Sequence, residues 1–304
     1  MKVLVCERIA REGRERLNNA GLEIDIQTGI SKDALLEIIA DYNILIIAQE
    51  MIIDREIIDA AANLKIIGKA GTGFENVDTA YCEHKGIKLI HTPGINSNAV
   101  AELIIGLIID LVRGITFADR YVRDGNSKFA RQLGFELMGK TVAVIGLGPI
   151  GRNVADKCNA LGMKVLGHTK TETKDLFDTI KLVTFEEAVC CADIVILTIP
   201  RTEKTFHIIS DDEFTMMKDG VVLINASPKG VLDEVTLLEN LKNGKIRAAA
   251  LDAFEEYPIS ASHPITKYDN VLLTPHLGGL TEETQIKISL DLSEKIIRTI
   301  NENT

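Results

Sequence analysis

The sequence predicts an α/β chain built from two doubly wound parallel-sheet domains. Three observations carry this. Short apolar runs bounded by turn residues alternate with amphipathic stretches from one end of the chain to the other. The runs lack polar alternation, which marks strands buried on both faces of a parallel sheet. Near the middle, a G-x-G-x-x-G stands between one such run and one such stretch. A length of 304 residues suits two domains of ordinary size.

The elements follow in order. Lys2–Cys6 reads as a strand, and Ala10–Ala20 as a charged amphipathic helix ended by Gly21. Ile24–Ile26 is a strand, and Ser31–Ala40 a helix with Ser31 as N-cap. Ile44–Ala48, Lys65–Lys69 and Lys88–His91 are further apolar strands with helical segments between them. One long helical pattern then runs over Asn98–Asp124, after Pro93-Gly94, and passes from the first domain to the second. The second domain opens at Lys140 with TVAVIGLGPIG and repeats strand–helix units. Its strands are Lys164–Leu166, Asp193–Leu197, Val221–Asn225, Ala248–Leu251 and Val271–Thr274. A final helix, Glu282–Asn301, is expected to return to the first domain. The division is residues 1–98 with 281–304 as substrate (catalytic) domain, and 99–280 as dinucleotide-binding domain.

Composition narrows the partners. Hydrophobic residues make up 46% and charged residues 26%, normal for a soluble globular chain. A net charge of -10 offers no overall attraction to nucleic acid or anionic membranes. Apolar runs such as Leu103–Ile109 are too short to span a bilayer. MKVLVCERIA reaches an arginine too early for a signal peptide. The five cysteines show no metal-binding or bridging spacing, so reduced thiols and a cytoplasmic location are expected, with no metal.

GLGPIG, Gly146–Gly151, follows the strand Thr141–Ile145 and opens a helix. In that context Gly146 permits the tight turn and Gly148 lets a diphosphate approach the backbone. Gly151 lets helix and strand pack closely, with the helix N-terminus facing the phosphates. The next strand, Met163–Gly167, is where an acidic residue would hold a ribose 2′-hydroxyl. It ends instead in His168-Thr169-Lys170. A carboxylate would repel a 2′-phosphate, whereas hydroxyl and ammonium groups bind one. The cofactor is therefore NAD or NADP, with a lean to NADP through Thr169 and Lys170; the alternative is a solvated Lys170.

Five motifs in order resemble the D-isomer-specific 2-hydroxyacid dehydrogenase family, phosphoglycerate dehydrogenase-like branch, over essentially the whole chain. They are GKAGTGFENVD (Gly68–Asp78), TPGINSNAVAE (Thr92–Glu102), GKTVAVIGLGPIG (Gly139–Gly151), ALDAFEEYP (Ala250–Pro258) and NVLLTPHLGG (Asn270–Gly279). The resemblance implies two Rossmann-like domains with the active site in the cleft between them, and a homodimer built through the cofactor domain. It implies that the backbone of Ala70, Gly71, Thr72 and Gly73 binds the substrate carboxylate. Lys69 either meets a second anionic group or faces solvent. Asn96 and Asn98 fall at the hinge, unless Asn98 caps a helix. Ile150, Gly151, Thr169, Pro200, Thr205, Asp252 and Gly278 fall where the family touches cofactor, with Asp252 on the nicotinamide carboxamide. His276 matches the histidine that donates a proton as hydride reaches the keto carbon. No C-terminal regulatory extension is expected.

The resemblance breaks at two places. The family's catalytic arginine aligns with Pro228 in NASPKGVLDE, and its glutamate with Tyr257. Proline has no charge and no donor, and tyrosine is neutral near pH 7. Losing one preorganised charged donor costs on the order of 10²–10³ in rate. Lys229 and Glu256 stand one residue away; each either replaces the lost group or faces water. Lys128 and Arg131 are further cations that either meet an anion or lie on the surface. Three readings stay open: an oxidoreductase on a 2-hydroxy or 2-oxo acid using His276 and Lys229, a cofactor-binding regulator or scaffold without turnover, and an enzyme of other chemistry on this fold.

Overall fold

The computed structural model describes residues 1–126, 133–170, 179–256 and 258–302. The expectations placed on Lys128, Arg131 and Tyr257 lie outside the described residues. The chain divides into two compact units, Met1–Asn96 with Leu280–Thr304, and Ser97–Gly279.

The first unit is a five-stranded parallel sheet. Its strands are β1 (Lys2–Val5), β2 (Glu23–Ile26), β3 (Ile44–Ile47), β4 (Ile66–Lys69) and β5 (Lys88–His91), in the order β2-β1-β3-β4-β5. Helices α1 (Arg11–Asn19), α2 (Lys32–Ile38), α3 (Arg55–Ala60) and α4 (Thr79–His84) connect them. Ser31, Asp54 and Asp78 cap α2, α3 and α4 by accepting from first-turn amides. Each face of the sheet buries its own set: Leu4, Leu45 and Ile67 on one, Val3, Val5, Ile44 and Ile46 on the other. The terminal helix α11 (Glu282–Glu302) covers the second face with Leu292 and Ile296 and packs along α1. Ser289 and Ser293 fasten it there, Ser289 Oγ accepting from Ala10 N–H at 2.7 Å and Ser293 Oγ donating to Gly13 O at 2.9 Å.

The second unit opens with two helices, α5 (Ser97–Arg113) and α6 (Ile115–Arg123). The single long helix read from the sequence breaks at Gly114, whose φ of 67° is left-handed and open to glycine at little cost. Asp110 then caps α6 across the break, accepting from Thr116 N–H at 2.8 Å and from its hydroxyl. Asn98 does not cap α5. It lies in the first turn, donates to Glu102 at 2.7 Å and accepts from Lys157 at 2.9 Å.

Seven parallel strands follow: β6 (Thr141–Ile145), β7 (Lys164–His168), β8 (Ile180–Leu182), β9 (Ile194–Leu197), β10 (Val221–Asn225), β11 (Ile246–Leu251) and β12 (Val271–Leu273). Helices α7 (Pro149–Ala160), α8 (Phe185–Cys191), α9 (Asp211–Met216) and α10 (Glu234–Lys242) lie among them. The sheet order is β12-β11-β10-β9-β6-β7-β8. The order reverses between β6 and β9, which is a topological switch point. Alternate residues feed two cores, Ala143, Ile145 and Val195 on one face and Val142, Val144 and Ile194 on the other. The sequence reading did not include β8, a three-residue edge strand with lysine at its centre. Among the described residues no helix is long and apolar enough to cross a membrane.

Candidate active site

In a parallel sheet every strand ends at the same edge, so the loops after β6, β7, β9, β10, β11 and β12 gather there. The Gly146 turn occupies the switch point. Gly146 N–H donates to His168 O at 2.8 Å, and Thr198 Oγ1 donates to Gly146 O at 2.8 Å. The turn is thereby tied to the ends of β7 and β9. Gly146 has φ 103°, and a Cβ there would stand 2.6 Å from Ile199. A Cβ on Gly151 would collide with Gly146 O, whereas one on Gly148 would meet nothing within 4 Å. The open side at Gly148 leaves room for a diphosphate to reach the backbone. Helix α7 starts there with no side-chain cap, so its first-turn dipole faces that space unopposed. Ile150 is half-buried behind the turn. These residues fit a dinucleotide.

Thr169 and exposed Lys170 extend from the end of β7, beside Gly146. Pro200 is exposed after β9. Thr205 uses its hydroxyl on its own loop, donating to Pro200 O at 2.7 Å and accepting from Thr202 N–H at 2.7 Å. It shapes the 200–205 turn.

His276 stands on a loop that one carboxylate organises. Asp252, 6% exposed at the end of β11, accepts from Thr274 Oγ1 (2.6 Å), Leu277 N–H (2.8 Å) and Gly278 N–H (3.0 Å). Its carbonyl accepts from His276 N–H at 3.1 Å. His276 is exposed and has φ 55°, a left-handed backbone uncommon outside glycine. Gly278 packs so close to Val100 and Asp252 that a Cβ would stand 3.0 Å and 3.2 Å from them.

The loop after β10 is fastened at its base. Asn225 Oδ1 accepts from Ser227 N–H at 3.0 Å, and Ser227 Oγ accepts from Ile199 N–H at 2.9 Å. Beyond this buried base, Pro228 is half-buried and Lys229 exposed. Glu256 is exposed on the loop after β11.

In the first unit, Ala70–Gly73 turn outward from the end of β4. Thr92 braces the turn, its N–H donating to Gly71 O at 2.9 Å, and His91 Nδ1 bonds Thr72 O. The N–H groups of Thr72 and Gly73 donate to no acceptor among the described residues, as an anion-binding turn requires. The Glu75 carboxylate lies against Gly73. Lys69 is 3% exposed, which removes the solvent-facing alternative. Its ammonium donates to Asn76 Oδ1, and Asn76 donates to Ala48 O and Met51 O. Burial pushes the Lys69 ammonium below its ordinary range.

Sequence reasoning missed a second carboxylate cluster. His207 Nε2 lies 2.6 Å from Glu255 Oε1, and Glu255 N–H donates to Glu234 Oε1 at 2.8 Å. Glu234 is 5% exposed, and burial raises it to about 7. Glu234 and Glu255 lie inside NASPKGVLDE and ALDAFEEYP, but no motif joins them to each other or to His207.

A family model described as "D-isomer specific 2-hydroxyacid dehydrogenase, NAD binding domain" matches residues 105–278. A D-3-phosphoglycerate dehydrogenase of Archaeoglobus fulgidus is 39% identical over 299 residues, 98% of this chain and 57% of its own. This chain thus spans little more than half the length of such relatives. A hydroxypyruvate reductase of Thermotoga maritima is 36% identical, with 98% of this chain and 97% of its own covered. A crystal structure from Thermus thermophilus superposes at TM-score 0.92 with 30% identity, over 99% of this chain and 97% of the other. Sequence and fold agree: the chain belongs to the D-isomer specific 2-hydroxyacid dehydrogenase family.

Proposed function

We propose that the chain is an NAD(P)-dependent oxidoreductase acting on a small 2-hydroxy or 2-oxo acid, with His276 and Lys229 as its working pair. The observation that carries this is the His276 loop. Three donors converge on Asp252 and hold an exposed histidine in a left-handed conformation at the same sheet edge as the Gly146 turn. Strain retained at such a place is a mark of function rather than of packing.

NAD(P), when bound, supplies or takes the hydride at the substrate's C2. The chain's own residues do the rest. The Gly146–Gly151 turn and the start of α7 would hold its diphosphate, and Thr169 with Lys170 would favour a 2′-phosphate. Pro200, Thr205 and Gly278 would line it. Asp252 would act on the carboxamide through the same loop it organises. In reduction of a 2-oxo acid, His276 gives its proton to the oxygen at C2; in the reverse direction it takes that proton back. The free amides of the Ala70–Gly73 turn hold the substrate carboxylate. Lys69 lies beneath that turn, its Cε 3.7 Å from where a Cβ on Gly71 would stand, with its ammonium fixed by Asn76. Lys229 supplies a point charge to the substrate oxygens in place of an arginine fork.

The relatives include enzymes named for 3-phosphoglycerate and hydroxypyruvate, and glyoxylate reductases. A panel of 3-phosphohydroxypyruvate (the 2-oxo form of 3-phosphoglycerate), hydroxypyruvate, glyoxylate and pyruvate, run with NADH and with NADPH beside fluorescence titration of each cofactor, tests the reading. Lys229→Ala is expected to lose most turnover and keep cofactor affinity. Unchanged turnover removes Lys229 from the mechanism.

A second reading, a cofactor-binding regulator or scaffold without turnover, is favoured by Pro228 and Tyr257 standing where the family has arginine and glutamate. Cofactor binding with no turnover of any acid in the panel supports it.

We also propose a homodimer through the dinucleotide domain. Helix α6 buries no residue, and Ile115 and Val122, one face apart by two turns, are 53% and 67% exposed. Leu133 and Met138 are 87% and 76% exposed nearby in sequence. So many exposed large apolar side chains in one short stretch mark an association surface.

A further inference from the structure

Three loops of the second unit meet at His207. Its backbone has φ 47°, so the chain holds a non-glycine residue in the left-handed region here as it does at His276. Its N–H donates to Gly230 O at 2.8 Å, one residue from Lys229. Its Nε2 lies 2.6 Å from Glu255 Oε1, one residue from Glu256, and its Nδ1 lies 3.9 Å from Asp233 Oδ2. Phe206 stacks on the imidazole at 4.0 Å, and the Arg201 guanidinium lies 5.3 Å from the Phe206 ring centre. A Cβ on Gly230 would stand 3.2 Å from Phe206 and 3.3 Å from Arg201 Nε, so the stack rests directly on that glycine. One residue therefore ties the loop carrying Pro228 and Lys229 to the loop carrying Glu255 and Glu256.

We propose that His207 is a positioning residue whose ring clamps the Lys229 loop to the Glu255 segment, so that Lys229 meets the substrate only while the clamp is closed. The effect on substrate rests on the oxidoreductase reading above; the clamp itself does not. Nε2 is within hydrogen-bond distance of Glu255, whereas Nδ1 at 3.9 Å from Asp233 makes only a longer electrostatic contact. The groups facing it are Glu255, Asp233, the buried Glu234 behind Glu255, and Arg201 across Phe206.

Two variants separate charge from backbone strain. Asparagine at 207 tolerates the left-handed backbone but is too short to reach Glu255. Glutamine reaches further but carries no charge. In His207→Asn, KM for the 2-oxo acid is expected to rise about tenfold, the weight of one charge-assisted hydrogen bond, while cofactor affinity holds. In His207→Gln, KM is expected to lie between wild type and His207→Asn. Hydrogen–deuterium exchange at residues 228–232 and 253–256 is expected to quicken in His207→Asn and slow again in His207→Gln. Unchanged exchange in both segments overturns the clamp. Faster exchange with unchanged KM in an active enzyme overturns the positioning role. Should the wild type turn over no acid, the oxidoreductase reading fails, and exchange alone decides the clamp.

Discussion

Asp252 shows how much one buried carboxylate can do. Its two oxygens take three donors from the 274–278 loop, and no neutral side chain of that size can accept all three. Asp252→Asn turns one acceptor into a donor facing N–H groups. It is expected to cost about 1–3 kcal/mol in chemical denaturation and to lower cofactor affinity, because the His276 loop loses its anchor. Glu234 gives a pH-dependent prediction. A carboxyl raised on folding holds its proton more tightly in the fold than in the unfolded chain. Stability is full below its ordinary value of 4.5, falls as pH rises and levels off above about 7. The loss amounts to about 3 kcal/mol. Glu234→Gln keeps the acceptor for Glu255 N–H and cannot ionise. Its melting temperature is expected to exceed wild type at pH 8 and to match it at pH 4. At this scale the sequence was legible where a motif sets spacing, as for Gly146, Gly151 and His276. It was not legible for Lys69 or His207, whose neighbours are brought by the fold.

Elements were legible where an apolar run is long enough to be buried whole. Val221–Asn225 and Ile194–Leu197 are buried throughout, and their sequences show it. Strand β8 has three residues and a lysine at its centre, too little for a pattern. The α5–α6 boundary was hidden for a different reason. Apolar periodicity continues through Gly114, and an isolated glycine does not by itself end a helix. The left-handed turn and the Asp110 cap together break it. Gly114→Ala forces a Cβ into that conformation and is expected to destabilise the protein by about 1–2 kcal/mol, read from a urea midpoint. Buried Phe214 anchors α9 in the core of the larger sheet. Phe214→Ala is expected to cost about 3–5 kcal/mol in the same assay.

For the whole molecule, the open question is association. The α6 face is expected to sit between two copies of the chain. Val122→Asp places a charge on that face without touching the core, since Val122 is 67% exposed. Sedimentation velocity is expected to show a dimer for wild type and a shift to monomer for the variant; a monomeric wild type removes the proposal.

Period and spacing lie within a few residues of one another along the chain, so the sequence by itself determined the two parallel sheets and the Gly146–Gly151 turn. Partnership across the sheet edge does not. Asp252 meets residues about one helix-length further on, His207 meets Glu255 across 48 positions, and Lys69 is buried by a turn that folds back over it. Only the tertiary structure decided these, because a parallel sheet brings the ends of distant strands to one edge while leaving their order in the chain free.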